Sequence, residues 1–279
     1  MNKKALPEYK YISIILGGVF LKYFVIGEDK RSKEIRKMFE VQNSIALKYY
    51  EADVIVTTIP FTRDGTNITG TEFKIEELIT FLSERKKILI SGSIPLNIRD
   101  ILREKGVEYY DVMQSDKLAI KNAIPTAEGA ILEAIENSEK TLYSSNILIL
   151  GYGKIGKALA KRLEGFGANI YIEARKSSDI AYISCQNYQA VKLEELGKYL
   201  PKFDYIFNTV PHILLNKERL DILKKDVLIV DLASVPGGVD FTAAKELGLN
   251  VVWALSLPSK CAPKSAARYL KEEIESIFR

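Results

Sequence analysis

The residues with the clearest chemical potential are three glycines that follow a short apolar run. Residues 146–150 read Asn-Ile-Leu-Ile-Leu, and a helical pattern follows the glycines. Gly151 permits a tight turn, Gly153 lets the backbone approach a pyrophosphate, and Gly156 lets a helix pack closely on the strand. Because the first amides of that helix face an anion, this order predicts dinucleotide binding. The predicted contacts are Gly151, Tyr152, Gly153, Lys154, Ile155 and Gly156. A tight turn without a ligand is the alternative.

The end of the next apolar run, residues 169–173, bears on which dinucleotide binds. Counting from the first glycine, Ala174 holds the position where NAD sites usually carry an acid, and Glu173 should point to the opposite face of the strand. Arg175 follows directly, and further donors for a 2′-phosphate come from Lys176, Ser177 and Ser178. These residues favour NADP. If Glu173 binds the ribose instead, the cofactor is NAD.

Two later turns should lie along the same dinucleotide toward its nicotinamide end, because ligands bind at the carboxyl ends of strands in doubly wound sheets. The predicted contacts there are Thr209, Val210, Pro211, Leu232, Ala233 and Ser234. His212, the only histidine, could donate a proton near the nicotinamide, although a lone histidine in such a turn is more often a surface residue.

Short apolar runs alternate with amphipathic segments along the chain, which is typical of parallel sheets covered by helices. The predicted strands are 21–26, 44–48, 54–58, 88–91, 107–111, 146–150, 169–173, 205–209, 227–231 and 251–254. The predicted helices include 32–39, 75–85, 126–139 and 263–278. We therefore expect an α/β protein with two doubly wound, Rossmann-like parallel-sheet domains and an interdomain cleft. The predicted domains are 1–20 as an extension, 21–121 with 258–279, and 122–257.

Composition excludes several classes of protein. The chain has 279 residues, of which 47% are hydrophobic and 27% charged, values that are ordinary for globular proteins. Lys and Arg number 40 against 36 Asp and Glu, a surplus too small to predict nucleic-acid binding. One histidine and two distant cysteines exclude a multi-histidine metal centre and a cysteine-rich zinc site, and fit a reducing compartment. No apolar run is long enough to predict a membrane span.

The combination of motifs resembles one family, the A subunits of dipicolinate synthase, from about residue 21 to the C-terminus. The glycine motif is generic, whereas Ile-Pro-Thr-x-Glu-Gly (124–129), Asp-Leu-Ala-Ser-x-Pro-Gly-Gly (231–238) and Ala-Pro-Lys (262–264) are specific. The other matching segments are 25–31 (Val-Ile-Gly-Glu-Asp-Lys-Arg), 34–37 (Glu-Ile-Arg-Lys), 91–92 (Ser-Gly) and 174–178 (Ala-Arg-Lys-Ser-Ser). Gly27-Glu28 stands where the family usually reads Gly-Gly, and His212 is not part of the family pattern.

The resemblance implies an oxidoreductase acting on CH–CH bonds, which oxidises a dihydrodipicolinate, formed from 4-hydroxy-tetrahydrodipicolinate of the lysine pathway, to dipicolinate with NADP. It also implies that the partner is a flavoprotein-like B subunit and that the protein lies in the cytoplasm of the mother cell of a spore-forming bacterium. Two substrate carboxylates need cationic or amide-rich anchors. The candidates are Thr62, Arg63, Ser91, Gly92, Ser93, Asn122, Thr126, Lys260 and Lys264.

The roles of two further residues are less defined by their positions. Glu128 could accept a proton or complete the capping of the helix 126–139, and the spacing slightly favours capping. Thr126 could equally begin that helix. Two other functions stay open: another NADP-dependent oxidoreductase of a small keto or hydroxy acid, and a noncatalytic NADP-binding protein that regulates a partner. The sequence also leaves open whether the chain forms a homo-oligomer.

Overall fold

The protein is described by a computed structural model that covers residues 15–16 and 19–279. It divides into two compact units: unit 1 is the chain up to Leu118 together with Pro263–Arg279, and unit 2 is Ala119–Ala262. The sequence-based boundaries, 121/122 and 257/258, differ from these by a few residues. The predicted extension 1–20 lies largely outside the described residues; its described part is β1 (Ile15–Leu16) paired antiparallel with β2 (Val19–Phe20).

Unit 1 contains a four-stranded parallel sheet. Its strands lie side by side in chain order: β3 (Tyr23–Val25), β4 (Val54–Val56), β5 (Ile88–Ser91) and β6 (Tyr109–Asp111). The predicted strand 44–48 is wrong, since only Ile45 pairs, as a single bridge to Tyr23. Leu47 is 86% exposed there, so this segment has no second buried face to hold a longer strand.

The helices of unit 1 cover both faces of its sheet. They are α1 (Lys30–Val41), α2 (Ile75–Arg85), α3 (Leu96–Glu104) and, from the end of the chain, α11 (Pro263–Ile277). On one face, Ile35 and Phe39 of α1 share a core with Leu270 and Ile274 of α11. On the other face, α2 and α3 bury a second core that includes Leu82 and Leu102.

Unit 2 contains a six-stranded parallel sheet in the order β12-β11-β10-β7-β8-β9. The strands are β7 (Asn146–Leu150), β8 (Asn169–Glu173), β9 (Gln189–Val191), β10 (Tyr205–Asn208), β11 (Leu228–Asp231) and β12 (Asn250–Trp253). The helices are α4 (Asp116–Glu136), whose first three residues belong to unit 1, α5 (Lys154–Glu164), α6 (Ser177–Cys185), α7 (Leu196–Tyr199), α8 (Lys217–Asp221), α9 (Phe241–Glu246) and α10 (Leu257–Cys261). Separate cores on the two faces confirm the predicted α/β class with two parallel sheets.

Helix α4 corrects the prediction for residues 126–139. It begins at Asp116, ten residues earlier than expected, and contains Pro125 in its interior. Proline removes one N–H but the helix continues, because Ala123, Ala127 and Ala130 are buried along it. Thr126 therefore does not begin the helix, and Glu128 does not cap it. None of the helices in the described part of the chain is long and apolar enough to cross a membrane.

Candidate functional site

The glycine turn joins the central strand β7 to α5 with close backbone packing. Gly151 has a φ of 92°, and a Cβ there would lie 2.7 Å from the side chains of Thr209 and Val210. A Cβ on Gly156 would lie 2.2 Å from the Gly151 carbonyl oxygen. Thr209 holds the neighbouring strand end, since its hydroxyl and its N–H both donate to the Leu150 carbonyl, at 2.8 and 3.0 Å. Only glycine fits these two turn positions.

The middle glycine of the turn faces open space. A Cβ built on Gly153 would meet nothing within 4 Å, although its φ of −78° suits any residue. Gly153 is the N-cap of α5, and no side chain caps that helix or places an acid in its first turn. An uncapped helix start with an adjacent open space is the arrangement that binds a phosphate through backbone N–H groups. The residues present therefore fit the pyrophosphate of a dinucleotide.

The side chains of this turn differ in their exposure. Tyr152 is 9% exposed and its ring packs in the hydrophobic core of unit 2, with the Lys157 ammonium 5.1 Å from the ring centroid. Burial raises the pKa of the Tyr152 hydroxyl. Ile155 packs partly against the same core. Tyr152 is thus available to a ligand mainly through its backbone.

The end of β8 separates a buried acid from an exposed basic loop. Ala174 packs in the same core as Ile172, so alternation along the strand directs Glu173 to the opposite face, where Tyr171 packs. Glu173 is 3% exposed and its Oε1 has no hydrogen-bond partner among the described residues. Burial raises the pKa of the Glu173 carboxyl, and the nearby Arg175 partly offsets that rise. The basic loop is exposed throughout: Arg175, Lys176, Ser177 and Ser178.

The ends of β10 and β11 are joined by a buried polar pair. Asn208 and Asp231 are both 0% exposed, and the Asn208 Nδ2 donates to Asp231 Oδ1 at 2.8 Å. The Asp231 carboxylate also accepts the N–H groups of Ala233, at 3.0 Å, and Gly238, at 2.8 Å. A Cβ on Gly238 would lie 2.1 Å from the Asn208 Nδ2. This network fixes the loop that carries the predicted contacts Leu232, Ala233 and Ser234, of which Leu232 and Ala233 are buried.

Asn208 lies in the predicted strand 205–209 and Asp231 in the family motif 231–238, but the sequence assigns neither residue a role. Each is the last residue of a fully buried strand, and a polar residue at the end of an apolar run is the signal that could have identified them. The pairing itself depends on β10 and β11 being neighbours, with Asn208 directly opposite Asp231.

The two predicted acid–base residues have different surroundings. His212 is exposed, beside the exposed Pro211, and is not hydrogen-bonded or ion-paired to any residue that the structure describes. Glu128 lies inside α4 and accepts from Arg162 Nε and Nη2 of α5, at 3.3 and 3.2 Å. Neither position therefore shows a paired histidine and carboxylate, and the catalytic role of both residues stays a prediction.

Six predicted substrate contacts belong to unit 1: Thr62, Arg63, Gly92 and Ser93 lie in loops, Ser91 is the last residue of β5, and Lys264 lies in α11. Ser91 is 1% exposed, and its hydroxyl accepts from Thr57 at 2.7 Å and donates to the Thr58 carbonyl at 3.1 Å. Thr62 donates to the Asp64 carboxylate at 3.2 Å. The N–H groups of Asn67 and Thr66 lower the pKa of the Asp64 carboxyl. The hydroxyls of Ser91 and Thr62 thus form hydrogen bonds to other residues of the protein.

The remaining unit 1 candidates are a buried glycine and three exposed residues. A Cβ on Gly92 would lie 2.8 Å from Met113 Cγ and 2.9 Å from Ile59 Cγ1. Ser93 is exposed with a φ of 54°, and its N–H donates to Asp111 at 3.0 Å. Arg63 is exposed. Lys264, near the start of α11, is exposed as well.

The other predicted substrate contacts belong to unit 2. Thr126 donates to the Asn122 carbonyl at 2.7 Å within α4, while the Asn122 Oδ1 is buried without a hydrogen-bond partner among the described residues. Gly129 allows α10 to approach α4, because a Cβ there would lie 2.8 Å from Cys261 Sγ. Lys260, in α10, is exposed. Asn122 thus remains the member of this group with unused hydrogen-bonding capacity.

Comparisons with known proteins agree with this geometry. Residues 121–236 match the family described as "D-isomer specific 2-hydroxyacid dehydrogenase, NAD binding domain". The A subunit of dipicolinate synthase from Bacillus subtilis is 29% identical over 92% of this chain and 96% of its own length.

Two solved structures show the same fold. The crystal structure of the Bacillus subtilis dipicolinate synthase A chain has a TM-score of 0.82 and 26% identity, covering 95% of this chain and 97% of that one. The corresponding structure from Bacillus halodurans has a TM-score of 0.84 at 24% identity, covering 92% and 97%. The resemblance stated from the motifs is confirmed: over nearly its whole length this chain is similar to the A subunit of dipicolinate synthase, and its residues 121–236 match an NAD-binding domain found in 2-hydroxyacid dehydrogenases.

Proposed function

We propose that the chain is the nucleotide-binding subunit of a dipicolinate synthase, which oxidises dihydrodipicolinate to dipicolinate during sporulation. The single observation that carries the proposal is the similarity to the Bacillus subtilis A subunit over 92% of the chain. A flavoprotein-like B subunit is the proposed partner, in the cytoplasm of the mother cell. The substrate arises from 4-hydroxy-tetrahydrodipicolinate by loss of water.

The proposed reaction balances without a further oxidant. Dihydrodipicolinate loses a hydride and a proton and becomes an aromatic pyridine, and the bound nucleotide would accept the hydride. The protein must then bind the nucleotide, orient the two carboxylates and receive one proton. The backbone at the start of α5 fits the first of these tasks, since Gly153 is open and the helix is uncapped.

NADP is the proposed nucleotide. Ala174 leaves no acid at the usual NAD position, and its side chain is 5% exposed within the core. Glu173 is buried on the other face of β8, whereas Arg175 is exposed beside it. A guanidinium with adjacent hydroxyls is suited to a 2′-phosphate.

Turnover with both subunits tests the proposal. The purified chain and its B subunit would be mixed with enzymatically made 4-hydroxy-tetrahydrodipicolinate and NADP, and both reduced nucleotide and dipicolinate would be measured by absorbance. We expect the two products to appear in equal amounts only when both subunits are present. The proposal is wrong if this mixture never reduces NADP while the chain turns over a keto or hydroxy acid.

The second candidate is a dehydrogenase of 2-hydroxy acids, which the family match of residues 121–236 favours. Such enzymes typically use a histidine paired with a carboxylate to move the hydroxyl proton. His212 has no such partner among residues 15–16 and 19–279, which supports the first candidate over the second. Nucleotide binding without any turnover would instead support a regulatory role.

A further inference from the structure

In unit 1 the chain crosses from one edge of β3 to the other. Tyr23 pairs with Ile45 on one edge of β3, through the bonds Tyr23 N–H to Ser44 O and Ala46 N–H to Tyr23 O, both 2.8 Å. On its other edge β3 pairs with β4. The chain therefore leaves β3 to one side and returns on the other, so the turns after β3 and β4 diverge at a topological switch point. Ligands of open α/β sheets bind at such points.

Arg31 spans this switch point. It lies in the first turn of α1, directly after β3, and its Nη2 donates to the Ile59 carbonyl, which follows β4, at 3.0 Å. Arg31 is 7% exposed. Within the part of the chain that the structure describes, no carboxylate forms an ion pair with its guanidinium, and Ile59 is the only acceptor of its side chain. Burial lowers the pKa of the Arg31 guanidinium, and the nearby Asp29 charge partly offsets this.

The Asp29 carboxylate cannot serve as the missing partner, because it is used as the cap of α1. Its Oδ1 accepts the N–H groups of Arg31, at 3.0 Å, and Ser32, at 3.3 Å. Its Oδ2 accepts the Ser32 hydroxyl. The guanidinium of Arg31 is thus left with one neutral acceptor out of the several that its five N–H groups can bind.

Arg36, one turn further along α1, shows how the same residue type is satisfied in this protein. Its Nη2 donates to the carbonyls of Val25, at 3.2 Å, and Gly27, at 2.9 Å, and pairs with the Glu28 carboxylate at 3.3 Å. Its side chain is 31% exposed, so water reaches it as well. Arg31 is the more buried of the two guanidinium groups and has the fewer partners.

A buried cation without an anion is costly, because desolvation is not offset by pairing. Neighbouring polar groups do not supply the anion. The hydroxyls of Thr57 and Ser91 bond to each other, and Thr58 donates to the Thr69 carbonyl at 3.2 Å. The Thr69 hydroxyl is buried and has no partner among the described residues, so it offers a further unused polar group next to Thr58.

We propose that Arg31 is a carboxylate-binding residue of unit 1 and holds one carboxylate of the dicarboxylate substrate at the switch point between β3 and β4. The identity of the ligand rests on the proposed function, whereas the anion site rests on Arg31 itself. A planar guanidinium binds a carboxylate through two parallel N–H bonds, which also fixes the orientation of the ring that carries it.

Binding of pyridine-2,6-dicarboxylate to the full chain tests this inference, with glutarate as a dicarboxylate that lacks the ring. Titration calorimetry would compare the wild type with Arg31→Met and Arg31→Lys, and with Arg36→Met as the matched control in the same helix. We expect Arg31→Met to lose about 10- to 100-fold in affinity for the dicarboxylate. Arg31→Lys should retain part of the affinity because it keeps the charge, and Arg36→Met should bind within about twofold of the wild type because Glu28 already satisfies Arg36.

The unfolding temperature without ligand separates ligand binding from a structural role. Replacing an unpaired buried charge by an apolar side chain of similar length is neutral or stabilising, so Arg31→Met should unfold at or above the wild-type temperature. A lower unfolding temperature together with unchanged dicarboxylate affinity would show that Arg31 is structural. A wild type that binds neither probe would show that unit 1 has no dicarboxylate site at Arg31.

Turnover distinguishes this inference from the proposed function. If the wild type reduces NADP with the proposed substrate and Arg31→Met has an unchanged KM, the inference is wrong and the function stands. If glutarate binding depends on Arg31 but the reaction never occurs, the function is wrong and the anion site stands.

Discussion

The two parallel sheets begin in the same way and present different groups to an anion. In both units a strand leads through a glycine into a helix: β3, Gly27 and α1 in unit 1, and β7, Gly151 and α5 in unit 2. Helix α5 has no side-chain cap, so its first N–H groups are available to a phosphate. Helix α1 is capped by Asp29 from its own chain. Its positive end is therefore already neutralised.

The difference shows that a shared topology does not fix how an anion is recognised. Unit 2 offers backbone N–H groups beside an open space at Gly153, whereas unit 1 offers the side chain of Arg31. A Cβ on Gly27 would lie 2.5 Å from Thr58 Cγ2, so the corresponding space in unit 1 is filled by protein. Backbone recognition suits a phosphate, and a guanidinium suits a planar carboxylate.

The largest effect is expected at the buried pair of unit 2, where the polar groups satisfy one another. Asp231→Ala should lower the free energy of unfolding by about 3–5 kcal/mol, because three buried donors lose their acceptor at once. Urea unfolding measures this. Asp240→Ala, which removes an ordinary helix cap, is the control and should cost about 1 kcal/mol. Equal losses for the two variants would contradict the role assigned to the network.

The next largest effect is expected on nucleotide binding when Arg175 is replaced. This substitution tests whether a side chain of unit 2 binds the nucleotide in addition to the backbone N–H groups. Arg175→Ala should weaken NADP binding by about 1.5–3 kcal/mol and leave NAD binding nearly unchanged, because only NADP carries the 2′-phosphate. Titration with both nucleotides measures the difference. The exposed Lys192→Ala in the same unit serves as the control. An equal loss for both nucleotides would rule out the 2′-phosphate assignment.

Gly153 and Gly27 test the open and the filled turn directly. Gly153→Ala should leave stability nearly unchanged, since a Cβ meets nothing within 4 Å, but should weaken nucleotide binding by roughly tenfold because the methyl group occupies the phosphate space. Gly27→Ala is the matched variant, and should cost about 1–3 kcal/mol of stability through overpacking against Thr58. Isothermal titration and urea unfolding of both variants give the four values. Normal nucleotide affinity in Gly153→Ala would show that the backbone N–H groups at this turn do not bind the phosphate.

Glu173 should give the smallest effect, and it depends on pH. Burial raises the pKa of this carboxyl in the folded protein above its ordinary value of 4.5. The folded state then holds more protons than the unfolded state above pH 4.5, so the wild type loses stability as the pH rises until the folded-state pKa is passed. Glu173→Gln should abolish this loss, and its advantage over the wild type should grow with pH in urea titrations. A constant difference across the range would show that the carboxyl titrates normally.

Much of unit 2 could be predicted from its sequence because local signals agree there. The predicted strands 146–150 and 169–173 match β7 and β8, since continuous apolar runs are bounded by turn residues on both sides. The predicted strand 44–48 is wrong because a pattern of five residues does not show that the segment lacks a second buried face. The sequence predicts that Pro125 precedes the helix 126–139, whereas burial of the surrounding alanines keeps the helix continuous through it.

The unpredicted parts of the candidate sites depend on which strands are neighbours. Asn208 and Asp231 meet because β10 lies beside β11, and no local pattern contains that fact. In the sequence, Arg31 is only part of a family motif. The structure shows that its guanidinium lacks an anionic partner, because its acceptor is the Ile59 carbonyl and the Asp29 carboxylate caps α1. The sequence therefore contains these polar residues, but only the fold defines their hydrogen-bond partners.

The capping of α1 by Asp29 has a consequence for competition between the nucleotide and the dicarboxylate. Asp29 places a negative charge where a phosphate would otherwise approach the helix, so a nucleotide meets repulsion at unit 1 and attraction at unit 2. The single charge of the carboxylate group that reaches Arg31 is opposed less strongly than the two charges of the nucleotide's pyrophosphate. Excess nucleotide should therefore not compete with the dicarboxylate for its anchor, and a high ratio of cofactor to substrate would not inhibit the proposed reaction.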